Sequence, residues 1–180
     1  KYMTVEVIPQ IRVIPGGHSI GVKLRSNGVI VVGYAKISGD GKQISPAEDA
    51  GIKIGDSIVE MNGYSVLSSE HVSQIVNSSG KKPIKLKIKR DSTFIDITIK
   101  PVLNRDENVY QIGLWIRDLA AGVGTLTFYE PSNGIYGALG HIITDIDTGK
   151  PIELGQGEII RARIAAIQKG RRNQPGEKKG

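Results

Sequence analysis

A mostly β fold with short helices is predicted, and three observations carry the prediction. Glycine is abundant, at 23 of 180 residues, which supplies many tight turns. Two stretches, IKLKIK at 84–89 and IDITIK at 95–100, alternate apolar and polar residues perfectly, the period of a half-buried strand. Only 69–79 shows a clean helical stripe, with Val72, Ile75 and Val76 at i, i+3 and i+4. Aromatics make up just 5% of the chain, so Ile and Val must fill the core.

Taken in order, residues 1–10 form an N-terminal segment. VIPGG at 13–17 reads as a turn, IGVKL at 20–24 as a short strand and GVIVVGYAKI at 28–37 as a buried strand bounded by glycines. Gly39–Lys42 is a turn. Ser45 can cap a short helix, Pro46 suits its first position, and Gly51 ends it. SIVEM at 57–61 is a strand, and Asn62-Gly63 is a hairpin signal. Ser68 or Ser69 caps the helix at 69–79, and Gly80 stops it. Asp91–Thr93 joins the two alternating strands.

The polar run NRDENVYQ at 104–111 reads as a linker or loop, so the boundary is placed at about 103–110, dividing 11–103 from 104–180. Beyond it, IGLWI, GTLTFYE and IYGALGH are β-like, with a PSNG turn at 131–134. GEIIRARIAAIQ at 157–168 fits a strand or a helix. Residues 169–180 contain no aliphatic or aromatic side chain and read as an exposed tail.

Composition removes several function classes. There is no Cys, which rules out disulfide scaffolds, Cys-ligated zinc and cysteine nucleophiles. His18, His71 and His141 are widely separated, without metal-ligand spacing, so neither metal nor cofactor is expected. The net charge of +6 resides in 161–180, which hold seven basic residues and one acidic one. The remainder is balanced, and the basic tail lacks interleaved aromatics, which argues against a nucleic-acid platform. The longest apolar run, near 29–35, is far short of the ~20 residues that span a bilayer.

Residues 11–100 resemble a PDZ domain of the type attached to bacterial proteases. The resemblance rests on Ile20-Gly21-Val22, SPAEDAG at 45–51, IKIGDSIVEMNG at 52–63 and the helix at 69–79. It implies a groove that takes an extended peptide by strand addition. The apolar-Gly-apolar turn Ile20, Gly21, Val22 would aim backbone N–H groups at a terminal carboxylate. His71 would face a peptide side chain, the bland alternative being a solvated first-turn residue. His18, in a Gly-rich loop, is read as exposed and polar.

GTLTFYEPSNGIYGALGHIITDIDTGKPI resembles the peptidase domain of the stage IV sporulation protein B family, serine peptidases related in architecture to chymotrypsin. The resemblance implies a PDZ domain followed by the N-terminal portion of a trypsin-like β-barrel domain. His141 would be the catalytic base that takes the proton from the serine hydroxyl. Asp145 and Asp147, at ~13 and ~20 Å along a continuing strand, could not reach that imidazole and read as turn formers. No Ser follows Ser132. The nucleophile is therefore expected outside this chain, which is read as an incomplete peptidase, inactive alone.

The family resemblance further implies export to the space between forespore and mother cell. Its implied partners are peptide or protein substrates: its own N-terminal region, and a membrane-bound regulator whose cleavage triggers a late sigma factor. Unpaired strand edges suggest a homodimer. Two rivals stand beside this reading. One is a non-catalytic PDZ interaction module. The other is a scaffold that binds nucleic acid through the basic tail.

Overall fold

The computed structural model describes residues 10–39, 42–140, 149, 154–173 and 175–180. Fifteen strands and two helices occupy the described residues, so the mostly β expectation holds. The chain divides into two compact units. The first contains Leu24–Ala120 with 154–157. The second contains the described residues of 10–23, 121–140 and 158–180. Two long strands contribute to both: β2 (Ser19–Tyr34) and β11 (Leu114–Glu130).

The first unit holds most of the segment that resembles a PDZ domain. Strands β3 (Ile37–Gly39) and β4 (Lys42–Ile44) pair ahead of helix α1 (Pro46–Asp49). Pro46 opens α1 as expected, but Ser45 makes no side-chain cap; its hydroxyl is drawn to a carbonyl 68 residues away, at Gly113. Strands β5 (Ser57–Met61) and β6 (Tyr64–Ser65) form the hairpin that Asn62-Gly63 foretold. Both turn residues have positive φ, 51° and 82°, the geometry that twists with the flanking strands.

Helix α2 (Ser69–Ser79) is capped by Ser68, whose side chain accepts from the backbone N–H of His71. Strands β7 (Ile84–Arg90) and β8 (Thr93–Ile99) pair along their full lengths. The sheet of this unit runs β11-β2-β5-β7-β8. Alternation on β7 sends Ile84, Leu86 and Ile88 wholly inward and exposes Lys85. Burying each such chain contributes roughly 1.5–3 kcal/mol. Val72 and Val76 of α2 cover the same core.

The boundary expected at 103/104 falls inside this unit. The polar run is not a linker. Strands β9 (Val102–Asn104) and β10 (Val109–Gln111) form a hairpin there, and Ile112, Leu114 and Ile116 beyond it pack on the same core. Apolar residues at even spacing carry the chain back into the first core before it leaves.

In the second unit, β1 (Ile14–Pro15) and β12 (Ile135–Gly140) pair with the later part of β11. Strand β13 (Leu154–Arg161) pairs with β2, settling the ambiguity at 157–168 in favour of β structure. The expected tail is partly ordered: β15 (Glu177–Lys179) pairs with β14 (Ala166–Gln168). Among the described residues, this unit buries one large hydrophobic side chain, Ile20.

Candidate functional site

The residues singled out by sequence fall in two different units or outside the described residues. Ile20, Gly21 and Val22 lie within strand β2 rather than in a turn. Ile20 and Gly21 are buried, and a Cβ on Gly21 would meet the Ile160 side chain at 2.8 Å. This segment belongs to the second unit, whereas α2 belongs to the first. The apolar-Gly-apolar pattern at 20–22 is therefore strand packing, not an open anion-binding turn. His18 is exposed, and its carbonyl accepts from Leu126 N–H. His141, with Asp145 and Asp147, lies outside the described residues.

A groove of about 260 Å³ does exist in the first unit. One wall is α2, through Ser69, Val72, Ser73, Val76 and Asn77. These positions are i, i+3, i+4, i+7 and i+8, a single helical face. The other wall is the chain from Val109 to Ile116. His71 does not line the groove. It stands two residues after Ser69, about 200° around the helix. Its ring Nδ1 is shielded from solvent and makes no hydrogen bond. Ser69 and Ser73 occupy the helix face that lines the groove instead.

The strand wall is fixed at both ends. Ala35 N–H donates to Gly113 O at 3.0 Å, and Ser26 Oγ donates to Asp118 O at 3.4 Å. Residues 113–118 therefore run antiparallel to β2. At the far end, Ser69 Oγ donates to Asp118 Oδ1 at 3.0 Å, tying the start of α2 to the strand. At the near end, Tyr110 N–H donates to Asn77 Oδ1 at 3.0 Å. At the far end, next to Ser69, Glu70 has its pKa lowered by its backbone N–H first and the Ser68 hydroxyl second.

One edge of β11 over 114–118 faces β2. The pairings of β11 with β1 and β12 involve only Gly124–Glu130. No strand is paired with the groove side of Leu114, Trp115 and Ile116 among the described residues. A free strand edge beside an exposed helix face can receive an extended chain by main-chain hydrogen bonds. The sequence held a signal for this wall: Ile112-Gly113-Leu114 repeats the apolar-Gly-apolar pattern found at 20–22.

Residues 108–180 match the family model described as SpoIVB peptidase S55, and residues 40–90 match that of a PDZ domain. A protein of Clostridium acetobutylicum, named as a candidate zinc metalloprotease, is 30% identical over 152 residues, covering 81% of this chain and 43% of the relative. A protein of the same designation from Bartonella henselae is 36% identical over 81 residues, covering 44% of this chain and 22% of that one. The chain thus spans less than half the length of these relatives. Among solved structures, the PDZ domain of an SdrC-like protein from Listeria monocytogenes is similar, with 23% identity and a TM-score of 0.40. The match covers 50% of this chain and 87% of that one. Among the described residues, no three His, Asp or Glu side chains converge as metal ligands.

Proposed function

We propose that this PDZ-bearing member of the SpoIVB peptidase S55 family is part of a serine endopeptidase of sporulation signalling, with its groove holding extended peptide. The groove between α2 and Val109–Ile116, in the unit that includes the PDZ-matched residues 40–90, carries the peptide-binding reading. The family match supports the peptidase reading, in which His141 would act as the base. The substrates in this reading are the protein's own N-terminal region and a membrane-bound regulator. The place of action is the space between forespore and mother cell.

The groove is tested by Ser73→Trp, which puts an indole on the exposed helix face that lines it. Ser73 bonds only along its own helix, to Ser69 O, so the fold should survive, as a thermal melt will show. Fluorescence anisotropy with labelled extended peptides should show at least a roughly tenfold loss of affinity, about 1.4 kcal/mol. Undiminished binding would place the peptide elsewhere.

The catalytic half predicts an inactive chain in isolation. In His-before-Ser order the nucleophile follows the base, and no Ser follows Ser132. A fluorophosphonate probe should leave this polypeptide unlabelled. Stoichiometric labelling would mean that one of its own serines is the nucleophile.

A further inference from the structure

We infer that the hairpin of β14 and β15, with the loop between them, is a docking surface for an anionic lipid membrane. Every residue involved lies in the second unit, apart from the groove.

Residues 161–180 carry Arg161, Arg163, Lys169, Arg171, Arg172, Lys178 and Lys179 against Glu177. All seven basic residues are exposed. The fold gathers them instead of leaving them on a loose tail. Ala166, Ile167 and Gln168 pair with Lys179, Lys178 and Glu177, and Ala165 N–H donates to Lys179 O at 2.8 Å. The loop from 169 to 176 therefore presents Lys169, Arg171 and Arg172 at one end of the hairpin. Its neck is tight, since a Cβ on Gly176 would meet Gly170 N at 2.9 Å.

These cations are not neutralised within the unit. Arg161, Arg163, Lys169, Arg171 and Arg172 form no ion pair among the described residues. Lys178 Nζ donates to two hydroxyls, Ser19 Oγ at 2.9 Å and Thr125 Oγ1 at 3.4 Å, so its charge is positioned but uncompensated. Like charges gathered on one hairpin repel, and an external anionic surface removes that repulsion.

The same segment chooses among anionic partners. Residues 154–180 hold no aromatic side chain, so the bases of a nucleic acid have nothing to stack on. They do hold exposed aliphatics. Ile167 is 70% exposed and lies directly opposite Lys178, on the same face of the hairpin, and Ile160 is 41% exposed. A bare isoleucine among cations gains nothing from a nucleic-acid backbone. At a bilayer surface it enters the acyl boundary, while lysine and arginine heads stay level with the lipid phosphates. In the function proposed above the regulator is membrane-bound, so the hairpin would concentrate the enzyme on the surface that carries its substrate.

The probe is a pair of vesicle preparations, phosphatidylcholine alone and phosphatidylcholine with about one-third phosphatidylglycerol, sedimented with the full chain at low ionic strength. The anionic vesicles should carry the chain down, and the neutral ones should leave it in solution. Added salt should release it, as counter-ions screen the surface. Arg171→Gln with Arg172→Gln should weaken partition roughly thirtyfold, each charge near such a surface being worth about fivefold. Ile167→Ser should cost roughly fivefold. Thermal melts of both variants should match wild type, because these side chains are exposed. Lys81→Gln with Lys82→Gln, an equal charge change at exposed sites in the first unit, should leave partition unchanged. Absence of the chain from the anionic pellet, equal binding to neutral vesicles, or an equal loss from the Lys81 and Lys82 variant would overturn the inference. Tight, salt-steep binding to a generic DNA duplex without binding to vesicles would overturn it too, and would assign the patch to nucleic acid.

Discussion

Arg90→Ala should destabilise the chain by about 3–5 kcal/mol, because it strands a buried carboxylate. Asp56 is only 1% exposed, whereas the Arg90 side chain is 26% exposed. The guanidinium grips both carboxylate oxygens, Nε to Oδ1 and Nη2 to Oδ2, each at 2.8 Å. The same Nη2 also donates to Gly51 O at 2.8 Å, and Lys53 N–H donates to Asp56 Oδ2 at 2.7 Å. One side chain thus clamps the loop after α1 onto the end of β7. The hydrogen bond to Asp56 is the largest cause of the raised Arg90 pKa, so the guanidinium stays charged throughout the working range. Arg90→Lys keeps the charge but loses the fork, and should recover only part of the loss. The double variant Asp56→Leu with Arg90→Met should fall between wild type and Arg90→Ala. It removes the stranded charge but leaves Lys53 N–H without its acceptor. Urea denaturation followed by circular dichroism measures all three. A loss below about 1 kcal/mol for Arg90→Ala would show that water reaches Asp56 and that the pair is an ordinary surface bridge.

The fold was most legible where short-range chemistry decides it. Asn62-Gly63 needs only its own backbone preferences to make a hairpin. The strands at 84–90 and 93–99 need only period-two alternation and a two-residue turn between Arg90 and Thr93. The helix cap was nearly legible, but its phase was not. Starting α2 after Ser68 puts Ser69 on the groove and His71 on another face, and a shift of one residue rotates every side chain by about 100°. Sequence alone left the choice between Ser68 and Ser69 open.

The groove wall was illegible for a different reason. Two segments, 20–22 and 112–114, carry the same local pattern. Which one stands beside α2 is decided by pairings far apart in sequence, such as Ala35 with Gly113 and Ser26 with Asp118. Nothing within either tripeptide encodes that choice. The PDZ resemblance pointed to the first, and it is the second that lines the groove beside α2. The polar run at 104–111 misled in the same way, since its hairpin is held by Asn104, Gln111 and the contact of Tyr110 with Asn77 rather than by apolar burial.

If the peptidase reading holds, His141→Ala in a longer protein that supplies a serine after it should abolish self-cleavage, by roughly 10⁴-fold or more, while leaving the thermal midpoint unchanged. A serine hydroxyl near neutral pH is a weak nucleophile, and the imidazole that removes its proton also returns that proton to the leaving amine. Alanine can do neither step. Gel-resolved self-processing measures the effect, with the Ser73→Trp variant as a control that alters the groove and not the base. The relatives named as candidate zinc metalloproteases supply the competing chemistry. A zinc enzyme would lose activity to 1,10-phenanthroline and ignore a fluorophosphonate. A serine enzyme does the reverse. Cleavage that survives His141→Ala and stops with the chelator would assign the reaction to a metal held elsewhere, and would leave this chain with its peptide groove alone.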